Sequence, residues 1–315
     1  MSVLTSLTVQ DHDCAKLRKE TSMSRISLSC AMVTPFLEDG AVDLVRLRAH
    51  AARVLSEGCN SVTLFGTTGE GASIGLNERQ RAIGALAVSL DDPRRQLLLG
   101  VASATMEESL AQARAGYAVG CRALLVAPPF YFAGGEDGLF AYFSAMFTAL
   151  GSQLRDIILY HIPAMTRNPI SVALTRRLVE AFPGAVIGVK DSDGNWANTE
   201  ERLSELSDLQ VLVGDERHLS QAVRLGGAGS ICGTSNVAAD LLRPMVDRGI
   251  DQPKLVAMVN EIVSHPVVPA VKAALAGKTG DTEWLRTRPP VEPMSAETAR
   301  AVYGKLLAIR AGAGD

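Results

Sequence analysis

The sequence has no cysteine pair, no basic block and no apolar run long enough to cross a bilayer. Its five cysteines, Cys14, Cys30, Cys59, Cys121 and Cys232, lie far apart and form no CxxC. An odd, dispersed set speaks against a disulfide framework or a cysteine zinc site and implies a reducing compartment. The formal net charge is only -3, so electrostatics give no reason to expect nucleic acid or an anionic membrane surface as partner. The first residues carry Asp11, His12 and Asp13 where a secretory leader needs an unbroken apolar stretch. A cytoplasmic protein is expected. No GxGxxG follows the first β-like run, which removes support for a dinucleotide-binding sheet.

What is present is a regular alternation. The chain has 315 residues, 47% of them hydrophobic and 21% charged, an ordinary balance for one large α/β barrel or two domains. Residues 1–24 lack a clear period and read as an N-terminal arm. From there SLSCAMVTPF precedes an amphipathic segment from Val42 to Ser56, and SVTLFG precedes Asn77 to Ser89, with Asn77 as the expected N-cap. QLLLGVA pairs with Met106 to Val119, RALLVAPP with Asp137 to Leu150, and DIILYHIP with Ser171 to Phe182. AVIGVK, LQVLVGDE and GSICG pair with Trp196 to Ser207, Arg217 to Leu225 and Ala238 to Asp247. About eight strand and helix pairs fit a TIM (β/α)8 barrel better than an open doubly wound sheet. We therefore expect a barrel over residues 25–249 and a C-terminal helical extension over residues 250–315.

In such a barrel chemistry belongs at the C-terminal strand ends. Those ends hold Thr34 and Pro35, then GTTGE, Pro128 to Tyr131, Tyr160 and His161, Lys190 and Asp191, Gly214 and Asp215, and Gly233 to Asn236. Lys190 closes the run AVIGVK. A lysine there is either a solvated surface charge or an amine held in the barrel. Strict alternation puts Val186, Gly188 and Lys190 on one face, with Ile187 and Val189 on the other. An amine crowded inside loses hydration and can attack a ketone to form a Schiff base.

Tyr160 ends the neighbouring run. Its phenol can move protons for such a lysine, or it is a core tyrosine bonded to a backbone carbonyl. In GTTGE, residues 66 to 70, Gly66 opens a turn in which the Thr67 and Thr68 hydroxyls and the backbone N–H groups suit a small carboxylate or phosphate. An ordinary turn is the alternative. Tyr131, in APPFYFAGG, sits on a proline- and glycine-bounded loop that could close a site or meet a neighbouring subunit.

Together GTTGE, YHIP, GVKDSDGN, VGDE and GGAGSICGTSNV, in that order, resemble the dihydrodipicolinate synthase and N-acetylneuraminate lyase superfamily from about Ile26 to the C-terminal helices. The resemblance implies a barrel whose lysine, here Lys190, forms a Schiff base with pyruvate or the pyruvoyl part of a 2-keto acid. It implies Tyr160 as the proton-shuttling tyrosine, Thr67 and Thr68 as ligands of the pyruvate carboxylate, and Ile231 as the residue whose carbonyl faces substrate. It also implies that Tyr131 reaches an adjacent subunit's site in a homotetramer, a dimer of dimers, and that no cofactor or metal takes part.

The departures lie around the second substrate. Dihydrodipicolinate synthases proper carry an arginine shortly after the YNVP segment, whereas YHIPAMTRNP places Met165 there and Arg167 two residues on. Losing a bidentate carboxylate clamp is costly, so another pyruvate aldolase or dehydratase is expected ahead of a true 4-hydroxy-tetrahydrodipicolinate synthase condensing pyruvate with aspartate semialdehyde. His161 replaces the usual asparagine, and Phe132 with Ala133 replaces a more polar stretch. Two other readings stay open: a metal-dependent lyase using His161, Asp191, Asp193, Asp215 and Glu216, and a protein that binds pyruvate without turnover.

Overall fold

The computed structural model describes residues 25–312; the arm expected over residues 1–24 lies outside the described residues. Eight parallel strands close on themselves in chain order. They are β1 (Leu28–Ala31), β2 (Ser61–Leu64), β3 (Leu97–Val101), β4 (Ala123–Val126), β5 (Ile157–His161), β6 (Val186–Asp191), β7 (Gln210–Val213) and β8 (Gly229–Cys232). Their short, nearly continuous apolar runs suit strands covered on both faces.

The connecting helices are α1 (Leu44–Ser56), α2 (Leu76–Ala87), α3 (Met106–Ala118), α4 (Glu136–Leu150), α5 (Val172–Ala181), α6 (Trp196–Glu205), α7 (Leu219–Arg224) and α8 (Ser235–Arg248). Asp43, Thr105, Ser171 and Asn195 cap four of them, each side chain accepting a first-turn N–H. The Asn77 cap expected for α2 is corrected. Gly75 occupies the cap position with no side-chain bond, and Asn77 lies within the first turn. The segment expected as one helix from Arg217 is also divided, into a 3-10 turn over Glu216–His218 and the short α7. Within α8 the backbone departs from helical angles at Ala238, with φ -140 and ψ 39.

Beyond α8 the chain continues as α9 (Pro253–Val263), α10 (Val267–Thr279) and α11 (Ala296–Ala311). None of the described helices is long and apolar enough to cross a membrane.

Two apolar layers position the site. The inner one gathers Leu98, Leu125, Ile158, Tyr160, Leu212 and Ile231, and the outer one packs the helices on residues such as Leu99, Val126, Leu159 and Val189. Strict alternation along β6 fails at its start. The register slips between Ile157 and Ile158, which pair with Val186 and Gly188. Val186 therefore joins Val189 in the outer layer, while Ile187 packs on the inner one. Such a bulge inserts one unpaired residue and re-aims the strand. Gly188 is needed beyond it, since a Cβ there would stand 2.4 Å from the Gln210 carbonyl oxygen.

Candidate active site

Beyond the slip the pairing is regular, and Tyr160 and Lys190 are direct register partners across β5 and β6. Each is only 5% exposed. The Lys190 ammonium donates to the Tyr160 hydroxyl at 3.2 Å and lies 4.3 Å from the centre of the same ring. The amine is thus neither solvated nor without a partner. Thr67 Oγ1 stands 3.2 Å on the other side of the Tyr160 hydroxyl. A hydroxyl that accepts from Lys190 has its one proton left to donate to Thr67. The three groups form a continuous hydrogen-bonded chain from the amine to the loop after β2.

GTTGE forms a compact loop. The Gly66 carbonyl accepts from the Gly69 and Gly71 N–H groups, both at 3.1 Å, and the Thr67 carbonyl from Glu70 at 3.0 Å. Thr34 ties the loop to the end of β1 by donating to the Gly69 carbonyl at 2.6 Å. Phe65 and Glu70 both have positive φ, 61 and 54, which a residue with a Cβ adopts only under constraint. The constraint at Phe65 comes from its carbonyl, which wedges between two glycines. A Cβ on Gly71 or Gly100 would come within 2.0 or 2.3 Å of that oxygen. Thr68 borders the loop after β8, where a Cβ on Gly233 would lie 3.4 Å from its side chain.

A cavity of about 440 Å³ opens above Tyr160 and Thr67. Gly66 and Met165 also line it, whereas Arg167, which is exposed, does not. Lys190, Thr68 and Ile231 are not among the residues that line it; Lys190 reaches it only through its contact with Tyr160, and Ile231 packs with Tyr160 in the inner layer. His161 is placed elsewhere. It alternates with Tyr160 to the outside of the barrel, where its Nδ1 accepts the Ile170 N–H at 3.0 Å. Burial, with the Arg202 guanidinium nearby, lowers its pKa to about 4 against the pull of Asp191. Tyr131 is 76% exposed with φ 83, packed edge-on to Phe132.

The acids once open to a metal reading have other partners. Asp191 accepts from Thr199 at 2.7 Å, Asp215 is gripped by Arg217, and Glu216 accepts the Thr234 N–H at 3.0 Å. Among the described residues no three His, Cys, Asp or Glu side chains are grouped to hold a metal ion.

Several supporting residues were not visible beforehand. Lys272 on α10 forms a buried ion pair with Glu70 of GTTGE and donates to the Arg286 carbonyl at 2.6 Å. The other Glu70 oxygen accepts the Arg288 N–H at 2.8 Å. The C-terminal segment is thereby locked onto the GTTGE loop. Asn168 braces the aromatic loop by donating to the Pro129 and Phe132 carbonyls at 2.7 and 2.9 Å. The acid in GTTGE was one available signal, but its partner lies 202 residues away.

The profile of the dihydrodipicolinate synthetase family matches residues 24–309. An uncharacterised DapA-like lyase of Chloroflexus aurantiacus is 32% identical over 290 residues, covering 88% of this chain and 96% of that protein. The crystal structure of dihydrodipicolinate synthase from Agrobacterium tumefaciens superposes with a TM-score of 0.88 at 45% identity, covering 90% of this chain and 99% of the other. A 2-keto 3-deoxygluconate aldolase from Picrophilus torridus shares the fold, with a TM-score of 0.78 at 22% identity, over 87% of this chain and 99% of that one. With the barrel, the strand-end lysine and the family match in agreement, the chain belongs to the dihydrodipicolinate synthetase family of lyases and aldolases.

Proposed function

We propose that the protein is a Schiff-base lyase acting on pyruvate or a larger 2-keto acid, with Lys190 as nucleophile. The amine attacks the keto carbon, and the ketone oxygen, protonated through Tyr160, leaves as water to give an imine. The imine then accepts the electron pair when a bond at the adjacent carbon breaks, or releases a proton to form the enamine that attacks an aldehyde. Tyr160 carries the proton in either direction and Thr67 is its next partner. The hydroxyls and N–H groups of Thr67 and Thr68 bind the keto acid's carboxylate, and the Ile231 carbonyl faces the substrate.

The observation that carries this reading is the contact chain from Lys190 through Tyr160 to Thr67, 3.2 Å at each step. The test is intact mass after incubation with pyruvate and borohydride, followed by peptide mapping. One adduct on the peptide containing VIGVKDSDGN is expected. A folded protein with no adduct would sink the assignment.

A second reading is favoured by relatives named 4-hydroxy-tetrahydrodipicolinate synthase, such as one from Agrobacterium fabrum at 29% identity over 286 residues. It is condensation of pyruvate with aspartate semialdehyde, and Met165 opposes it by offering no charge to the aldehyde's carboxylate. Dehydration of a 2-keto-3-deoxy sugar acid would use the same imine. We further propose that Tyr131 and Phe132 are covered by another copy of this chain, in a homotetramer. Sedimentation analysis with Tyr131→Ala reads this directly, dissociation being the expected result.

A further inference from the structure

The cavity wall above Tyr160 is mostly apolar; of its outer hydroxyls, Ser73 donates to the Glu70 carbonyl at 2.8 Å and Thr166 to the Ile162 carbonyl at 3.1 Å. Outward from Tyr160 the cavity passes Ala102, Ala127, Phe130, Ile162, Met165 and Val291. The last of these comes from the segment before α11, so the C-terminal extension closes one side of the space. At about 440 Å³ the cavity falls within the range of roughly 300 to 1,000 Å³ typical of small-molecule sites, and leaves room beyond a three-carbon keto acid.

Two ionic side chains touch the wall, Glu70 and Arg288, and both are committed. The Glu70 carboxylate holds Lys272 and the Arg288 N–H. One terminal nitrogen of Arg288 donates to the Ser73 carbonyl at 2.9 Å and to Glu78 at 2.8 Å. The other donates to Glu78 at 3.0 Å and to the Gly40 carbonyl. The guanidinium also stacks on Phe36, 4.7 Å from the ring centre. Glu78 accordingly has its pKa lowered, chiefly by the Arg288 hydrogen bonds. Arg167 lies outside the lining. A carboxylate entering this space would lose its water without gaining a cation, and a polyol would lose hydrogen bonds to carbon.

We infer that the second substrate is an aldehyde with an aryl or alkyl substituent, or, in the cleavage direction, the 2-keto acid carrying that substituent on C4. The inference rests on the Lys190 imine proposed above. In the forward direction the enamine carbon of the pyruvate imine attacks the aldehyde carbon, and one C–C bond forms. The aldehyde oxygen takes a proton to become a C4 hydroxyl, and water then releases the 2-keto acid from Lys190. No oxidant or reductant is required. The apolar group lies against Phe130, Ile162 and Met165, where a single methylene changes kcat/KM by about 10- to 200-fold.

The experiment supplies pyruvate with benzaldehyde, hexanal, glyceraldehyde or aspartate semialdehyde, after borohydride trapping has been scored on the same preparation. Trapping at Lys190 together with kcat/KM for benzaldehyde or hexanal at least about tenfold above the two polar aldehydes is expected. Met165→Arg should narrow or reverse that ratio; Met165 is 63% exposed, so the fold tolerates the change. Trapping with preference for a polar aldehyde, with no preference, or with no turnover of any aldehyde overturns the inference and leaves the imine assignment standing. Absence of trapping overturns both.

Discussion

Tyr160 and Lys190 face each other across adjacent strands, with the hydroxyl of one 3.2 Å from the ammonium of the other. Removing either tests a different part of the chemistry. Tyr160→Phe keeps the ring in the inner layer and deletes the hydroxyl proposed to carry the proton. Imine formation and turnover should fall by about 10²- to 10⁴-fold, the usual worth of a positioned acid or base. Rapid-quench borohydride trapping measures the loss, and a rate close to wild type would show that the phenol is only structural.

Lys190→Ala should abolish covalent trapping while the protein stays folded, because the change removes a polar group from a buried site without opening the outer layer. Mass spectrometry reads the first outcome and circular dichroism the second. Residual trapping on another peptide would identify a different nucleophile.

The Glu70 and Lys272 pair predicts a coupling between the GTTGE loop and the C-terminal extension. Burial lowers the Lys272 pKa, and Glu70 opposes that shift. Lys272→Met leaves Glu70 buried without its cation and should destabilise the fold by about 3 to 5 kcal/mol. Adding Glu70→Gln should recover part of this, so the double variant should be less damaged than the sum of the single ones. Denaturant midpoints of all four proteins close the cycle.

Gly71→Ala is expected to cost pyruvate binding as well as stability, since its Cβ would meet the Phe65 carbonyl oxygen at 2.0 Å. The loop would have to move, carrying Thr67 away from Tyr160. A trapping titration with wild-type half-saturation would contradict this.

Two buried histidines contribute to loss of stability in acid. His50 has its pKa lowered to about 3 by burial and by Arg53, against the hydrogen bond it donates to the Asn236 amide oxygen, which raises it. His161 falls to about 4. Because both folded values lie below the unfolded value of about 6.5, the unfolded chain binds more protons through this window. Stability is therefore greatest above pH 6.5 with respect to these groups and declines as the pH drops toward 4 and 3. His161→Asn keeps an acceptor for the Ile170 N–H and should flatten the slope of Tm between pH 6.5 and 4. An unchanged slope would show that His161 does not titrate on unfolding there.

Much of the site was legible because it consists of strand ends, and strand ends are local. YHIP and GVKDSDGN place Tyr160 and Lys190 at the top of neighbouring strands from hydrophobic pattern alone. His161 was legible as a departure but not as an outward-facing residue, although alternation from an inward Tyr160 requires it. The Val186, Gly188 and Lys190 face was misplaced at its first member, because a bulge depends on the partner strand and leaves no mark in one strand's period.

The sequence by itself determined the repeating strand and helix order and the chemical groups at each strand end, because these follow from periods of two and 3.6 residues and from short motifs. Only the tertiary structure decided that Thr67 meets the Tyr160 hydroxyl from 93 residues away. It alone decided that Lys272 neutralises Glu70 and that a C-terminal segment walls the cavity with apolar side chains. Those contacts come from barrel closure and from docking of the extension. They depend on which surfaces meet, and no local periodicity carries that information.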